Sequence, residues 1–218
     1  MYDIFRVNFF KSLYYNFRYL SFKQACHLPI LVGYKTTLNL SGKYAIKIHS
    51  NVYYGMIKIG VNYEKSVSSK KDETFVDIYG SLELKKDANF GKGTRIVVLP
   101  KGKLFIGSSF AITGRSSFRV YRYVKIGDNC LFSWDILLMD YDGHRIYNDK
   151  GDKTNDHIPL VIGSHVWIGC RSSIWDGAYI PDNSIIGNNS NIKKKLLVPA
   201  SIYIENGKMI KQNIRWER

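Results

Sequence analysis

Residues 158–192 read IPLVIGSHVWIGCRSSIWDGAYIPDNSIIGNNSNI, and within them Ile162, Ile168, Ile174, Ile180, Ile186 and Ile192 recur at every sixth position. A second pattern runs in phase with the first. Two residues before each next isoleucine stands a small or β-branched side chain: Val166, Ser172, Ala178, Ser184 and Ser190. Gly163, Gly169 and Gly187 follow three of the isoleucines. Neither the 3.6-residue period of a helix nor the two-residue alternation of a strand yields this spacing. A three-sided prism does, with short flat faces that each send one aliphatic residue inward and turn on small residues. Three hexads close one coil, so Ile168 should lie against Ile186 and Ile174 against Ile192, at a strand spacing of roughly 4.8 Å.

The register extends toward the N-terminus with offsets. Ile78, Leu84, Phe90 and Ile96 keep it, Ile106, Ile112, Phe118 and Val124 resume it, and Ile126, Phe132 and Leu138 follow a second shift. From Leu138 the next steps are His144, Lys150 and Asp156, after which Ile162 rejoins in phase. The segment RIYNDKGDKTNDHIP is too polar for a core, so residues 145–160 are expected as a loop extruded from one coil. His144 stands where the loop departs. Its register position faces inward, so the backbone must turn there.

The resulting partition is a helical and strand cap over residues 1–60, a polar loop over 61–77, the coil domain over 78–195 and a tail over 196–218. In the cap, Phe9, Phe10, Leu13, Tyr14, Phe17 and Leu20 share one helical face that would close the first coil, and Ser21 with Gln24 has the form of a capping box. Leu38, Leu40, Tyr44, Ile46 and Ile48 alternate as in strands.

With 218 residues, 45% hydrophobic and 23% charged, the chain can bury one substantial core, and disorder, collagen and coiled coil are excluded. Lys and Arg number 32 against 18 Asp and Glu, a formal charge of +14 spread along the chain. Such a field attracts nucleic acid, an anionic membrane, an acidic glycan or a phosphate-bearing cofactor. Cys26, Cys130 and Cys170 lack zinc-site spacing, which points to a reducing compartment and no metal. No apolar run approaches a membrane span, and MYDIFRVNFF carries an early acid and no signal-peptide pattern. The expected setting is the cytoplasm, with peripheral attachment at the inner membrane face left open.

The hexads with their extruded loop, the segment FSWDILLMDYDGHRIY at 132–147 and the aromatic opening KSLYYNFRYLSFKQACHLPILV at 11–32 resemble the hexapeptide-repeat acyltransferases. Within that superfamily they are similar to the bacterial sugar O-acetyltransferases of capsule, O-antigen and exopolysaccharide pathways. The resemblance implies an all-β, left-handed parallel β-helix. Its hand runs against the usual right-handed crossover, so composition alone would not suggest it. It further implies acetyl-CoA as donor, direct transfer to a hydroxyl, and a homotrimer with sites between neighbouring subunits.

The resemblance also assigns residues. His144 matches the catalytic histidine, a general base of the kind that contributes about 10²–10⁴-fold to rate. Asp140, Asp142 and His144 alternate and in a strand would project to one side, which makes Asp142 a candidate to orient the imidazole. Trp167 matches a tryptophan that packs on the donor, or it covers the coil's outer wall. Trp134 and Asp135 line the acceptor pocket or are structural. Cys170 and Asn188 would offer backbone groups to pantetheine. Lys193, Lys194 and Lys211 suit the phosphates of CoA, although a lysine run is also the mark of a solvated edge. The family's usual AGxPA segment is replaced by YIENGKMIK at 203–211. Cys170 has no cationic neighbour in sequence and is not expected to act as a nucleophile.

Other functions use the same prism. The spacing of His144, His157 and His165 does not fit a three-histidine zinc site, and no nucleic-acid-binding module is recognisable. His27, His49, His157 and His165 read as surface residues. An amino-sugar N-acetyltransferase and a non-catalytic scaffold remain as alternatives. The charge favours a sugar or glycan acceptor that is phosphorylated, lipid-linked or acidic.

Overall fold

The computed structural model describes residues 6–42, 45–141, 143–155 and 157–218. Its body is a parallel β-helix whose three faces are sheets of nine, seven and six strands. The first face stacks Ile30–Val32, Ile57–Ile59, Ala88–Phe90, Phe110–Gly114, Leu131–Trp134, Trp167–Ile168, Ile185–Ile186 and Ile202–Ile204, then adds Lys208–Lys211 antiparallel. The second runs from Thr36–Leu40 through Ser117–Val120, Leu137–Met139 and Ser173–Trp175 to Asn191–Ile192. The third runs from Ile46–Ile48 through Tyr123–Ile126 and Leu160–Ile162 to Tyr179–Ile180.

The register expected from the hexads is present. Ile168 pairs with Ile186, Ile174 with Ile192 and Ile162 with Ile180, all in parallel. All six isoleucines are buried, and so are Val166, Ser172, Ala178, Ser184 and Ser190 beside the turns. Below them the interior is filled by Phe90, Phe110, Phe118 and Phe132, with ring centroids 5.2 Å apart for Phe110 and Phe132. The corners turn on left-handed residues in columns. Arg115, Asp135, Arg171 and Asn189 (φ 49 to 59°) stack between the first and second faces, and Ser109, Asn129, His165 and Asn183 (φ 55 to 61°) between the third and first. Such backbone disfavours residues with a Cβ, so each corner is held by the coil beside it.

The coils begin far earlier than residue 78. Ile30 pairs with Ile57, Thr36 with Thr74 and Ile46 with Leu82, which places residues 30–59 inside the β-helix. The phase is lost there because corner lengths vary. Residues 61–73 bulge from the corner between the first and second faces, and Arg115 Nη1 donates to the carbonyl of Val67 in that bulge (3.2 Å). Lys43 and Tyr44, the latter part of the alternation read from the sequence, lie outside the described residues.

The bottom edge is closed by α1 (Phe9–Tyr19) and the short α2 (Phe22–Ala25), but through the face opposite to the one expected. Ile30–Val32 is the open edge of a sheet, whose N–H and C=O groups need partners. Ser12 and Asn16 supply them. Asn16 Nδ2 donates to Ile30 O (2.7 Å), Asn16 Oδ1 accepts from Ile30 N (3.1 Å) and Ser12 Oγ accepts from Val32 N (3.0 Å). Asn8 N adds a bond to Val32 O (2.8 Å). With that polar side turned inward, Phe9, Phe10, Leu13, Tyr14 and Phe17 point to solvent, while Leu20 is buried. Ser21 caps α2 by accepting from Gln24 N, and its hydroxyl donates to the Gln24 side chain.

At the top, the tail turns back along the corner between the third and first faces. Ile214 N donates to Ala200 O, Trp216 stacks on His165 (4.1 Å, 3°) and donates to its carbonyl, and Arg218 Nη1 reaches Ser109 O (2.6 Å). On the third face Glu83 is nearly buried among Lys103 (3.1 Å), His49 (3.0 Å) and Lys47 (3.6 Å). Burial opposes its ionisation, but the bonds from Lys103 and His49 and the charges of Lys103 and Lys47 outweigh it and hold the carboxyl below the usual range.

Candidate active site

The chain leaves the second face after Met139 and returns to the third at Leu160, so the expected loop issues from the corner between them. Asp140 does not continue the strand with His144 projecting beside it. It turns fully inward, and its carboxylate accepts from the backbone N–H groups of Tyr121 (2.6 Å), Arg122 (2.9 Å) and Tyr123 (2.8 Å), the corner of the preceding coil. His157 Nε2 lies 2.8 Å from Asp140 Oδ2, so the two ends of the loop are tied to each other and to the coil below. His157 is therefore not the plain surface histidine that the sequence suggests.

Between those ends the loop folds as a small antiparallel hairpin, with a bridge between Tyr147 and Lys153. His144 is exposed at its start. The carbonyl of His144 is held twice, by the hydroxyl of Tyr141 (2.6 Å) and by Nδ2 of Asn155 (2.6 Å). This fixes the backbone that carries the imidazole. Tyr141 in turn packs edge-on against Tyr121 (5.2 Å). Asp142, expected to orient His144, lies outside the described residues. A cleft of ≈ 500 Å³ opens beside the hairpin, lined among others by Lys101, Tyr121, Arg122, Tyr141, Arg145 and Lys153. Its chemistry, cationic groups interleaved with aromatic rings, suits an anionic or phosphorylated sugar.

Two of the proposed cofactor lysines share this corner of the prism. Met139 pairs with Trp175, and Lys193 Nζ sits 4.8 Å above the Trp175 ring. Lys193 and Lys194 are exposed, and the Trp175 indole N–H is buried without a partner. Nothing in the sequence marks Trp175, which occupies an ordinary outward position of the repeat. The exposed lysines match the charge of a nucleotide pyrophosphate.

The remaining candidates lie elsewhere. Trp134, Cys170 and Asn188 form one column at the corner between the first and second faces, with Asp135 in the column beside it, and there Arg171 N donates to Trp134 O and Asn189 N to Cys170 O. Asp135 faces Arg115 (3.5 Å). Trp167 lies on the first face, 37% exposed, with its indole N–H on Ser133 Oγ (3.2 Å) and Trp216 6.1 Å away. Lys211 is on the last strand of that face. A face of about four or five residues at ~3.3 Å each separates the two corners by roughly 15 Å. One chain therefore does not bring His144 together with Trp167, Cys170 and Asn188.

Burial pushes the Cys130 thiol up to about 12, whereas Cys170 is half-buried and Cys26 exposed. Among the described residues no group of three His, Cys, Asp or Glu side chains is placed to hold a metal.

Comparison with known proteins bears on this geometry. Residues 159–194 match the family described as bacterial transferase hexapeptide (six repeats). The chain is 28% identical over 146 residues to the polysialic acid O-acetyltransferase of Escherichia coli O1:K1 / APEC, covering 66% of this chain and 45% of that protein. It is 35% identical over 74 residues to the galactoside O-acetyltransferase of Escherichia coli (strain K12), covering 34% of this chain and 36% of that protein. The chain thus spans less than half the length of either relative. Among solved structures, the polySia-specific acetyltransferase NeuO aligns over 87% of this chain and 79% of its own, with 22% identity and a TM-score of 0.48.

Proposed function

We propose that the protein is an acetyl-CoA-dependent O-acetyltransferase that moves an acetyl group to a sugar hydroxyl in capsule, O-antigen or exopolysaccharide biosynthesis. The observation that carries this reading is the interruption of the coil stack at Asp140 and His157, which hold out a hairpin bearing His144 beside a basic, aromatic cleft. The stretch just above it is the one that matches the hexapeptide transferases, and the two O-acetyltransferases similar to it act, by their names, on polysialic acid and on galactosides.

In this mechanism acetyl-CoA, when bound, supplies a thioester carbonyl to an attacking hydroxyl. His144 takes the hydroxyl proton as the C–O ester bond forms and passes it to the coenzyme A sulfur, which leaves as a thiol when the thioester C–S bond breaks, while the cleft residues Lys101, Arg122 and Arg145 hold the acceptor's negative charge. Lys193, Lys194 and Lys211 answer the phosphates of the donor, Trp167 gives the pantetheine an apolar wall, and Cys170 and Asn188 meet its amides. Asp142 orients the imidazole, and Trp134 and Asp135 contact the acceptor.

The working form we propose is a homotrimer. Its support is the separation of the two halves of the site on different corners of one prism, which a neighbouring copy would bring face to face. Among the described residues no helix is long and apolar enough to cross a membrane. We assign the enzyme to the cytoplasm at the inner membrane face, acting on an anionic or lipid-linked glycan.

The test begins with calorimetric titration of acetyl-CoA against desulfo-CoA and adenosine diphosphate, followed by mass spectrometry of candidate glycans incubated with protein and acetyl-CoA. Selective binding of the pantetheine ligands and a mass gain of one acetyl group are expected. Absence of donor binding would leave a non-catalytic scaffold. Transfer confined to the amine of amino sugars would make the enzyme an N-acetyltransferase.

A further inference from the structure

We propose that the outward face of α1, extended by Phe22 of α2, is a membrane-docking surface for anionic phospholipid. A helix on a soluble protein normally turns its apolar stripe to the core and its polar side to water. Here the order is reversed, because Ser12 and Asn16 are consumed in closing the sheet edge at Ile30–Val32. Phe10, Leu13, Tyr14 and Phe17, spaced along one side of the helix, are left in solvent, with Phe10 81% and Tyr14 59% exposed. Phe22, 74% exposed, packs edge-on against Phe17 (5.9 Å) and carries the stripe onward. Phe9, Tyr53 and Tyr54 line an adjoining cleft of ≈ 440 Å³ whose walls include Leu31 and Met56.

Charge selects the occupant. From residue 4 to residue 63 the sequence holds no Asp or Glu, while Arg6, Lys11, Arg18, Lys23, Lys35, Lys43, Lys47 and Lys58 all fall there. Lys11, Arg18 and Lys23 are exposed on or beside the aromatic stripe. Aromatic side chains flanked by cations are the composition of helices that lie in the headgroup layer, rings at the acyl boundary and ammonium or guanidinium groups at the phosphates. A second copy docking face to face would oppose cations with cations and is disfavoured by the same arithmetic. Held this way, the first coil faces the bilayer and the prism axis stands away from it, with the His144 hairpin several coils above the lipid.

This extends the membrane-face setting proposed above but does not depend on acetyl transfer, so vesicle binding and turnover can fail separately. The experiment is co-sedimentation of the full chain with phosphatidylcholine vesicles and with phosphatidylglycerol-rich vesicles, at low and high salt. Binding at least about tenfold stronger to the anionic vesicles is expected, weakening with salt. The F10S/F17S variant should lose about tenfold or more in partitioning, and K11Q/R18Q/K23Q should lose the preference for phosphatidylglycerol. Circular dichroism verifies that each variant is folded. If the double variant is not, Phe10→Ser alone serves, since that ring is the most exposed. Failure to sediment with anionic vesicles, or binding unchanged by F10S, would overturn the proposal. So would a fall in solution mass in F10S/F17S, which would show that the face seats a second copy.

Discussion

Asp140 and His157 meet at 2.8 Å across the neck of the hairpin, and the same carboxylate accepts three backbone N–H groups from residues 121–123. One buried side chain therefore joins both ends of the loop to the coil beneath it. Asp140→Ala would take the acceptor from three part-buried donors and the partner from His157, and a bond to a charged group is worth about 1.5–3 kcal/mol. We expect a loss of about 3 kcal/mol or more in urea denaturation. Asp140→Asn, which keeps an acceptor oxygen, should lose less.

His144 stands apart from that fastening, since the bonds from Tyr141 and Asn155 go to its carbonyl, which a change of side chain keeps. His144→Ala should leave the melting curve and acetyl-CoA affinity near wild type while reducing transfer by about 10²-fold or more. The contrast with Asp140→Ala separates chemistry from scaffolding, and turnover equal to wild type would remove His144 from the mechanism.

Glu83 sets part of the acid sensitivity. Its folded-state carboxyl lies below the ordinary value, so the stabilisation it contributes is complete above the ordinary carboxylate range and is lost as pH falls through the folded-state value. Glu83→Gln should be less stable than wild type at neutral pH, and the gap should narrow as pH falls below the ordinary carboxylate range. Denaturant midpoints measured across that range check the sign.

The cysteines should react in order of access. Cys26 is exposed, Cys170 half-buried, and Cys130 is buried with its thiol donating to the Gly163 carbonyl (3.2 Å) and held up to about 12. Alkylation of the native protein at about pH 8, followed by mass spectrometry, should modify Cys26 first and leave Cys130 intact until denaturant is added.

The upper coils were legible because their corners are uniform: every turn between Ile162 and Ile192, on each of the three corners, spends the same number of residues, so the core positions keep one phase. Lower down, Phe90, Ile112 and Phe132 align in register although they are twenty-two and twenty residues apart, and the bulge at 61–73 intervenes below them. Periodicity cannot follow a coil whose corners change length, and for that reason residues 37–60 show in the sequence only as strands, by the alternation of Leu38, Leu40, Tyr44, Ile46 and Ile48. The orientation of α1 was hidden for a different reason. Its stripe of Phe10, Leu13, Tyr14 and Phe17 satisfies the pattern of a core-facing helix, but the pattern does not register that an open strand edge needs Ser12 and Asn16 more. Beside the cleft, the loop and the position of His144 at its start were legible from the break in the hexads. The bond between Asp140 and His157 was not, because it joins positions seventeen apart through a turn that no local pattern encodes.

The tail has a consequence for how the protein comes apart. A stack of coils is nearly one-dimensional, each rung held by the rungs above and below, so such a ladder can fray from its end one rung at a time. Ile214, Trp216 and Arg218 grip the corner at Ala200, His165 and Ser109 in turn, spanning several rungs with a single strap. Opening the topmost rung then also loosens rungs far below it. The strap trades gradual fraying for a more concerted collapse, and it makes residues 214–218 the fastening that locks coils far earlier in the sequence.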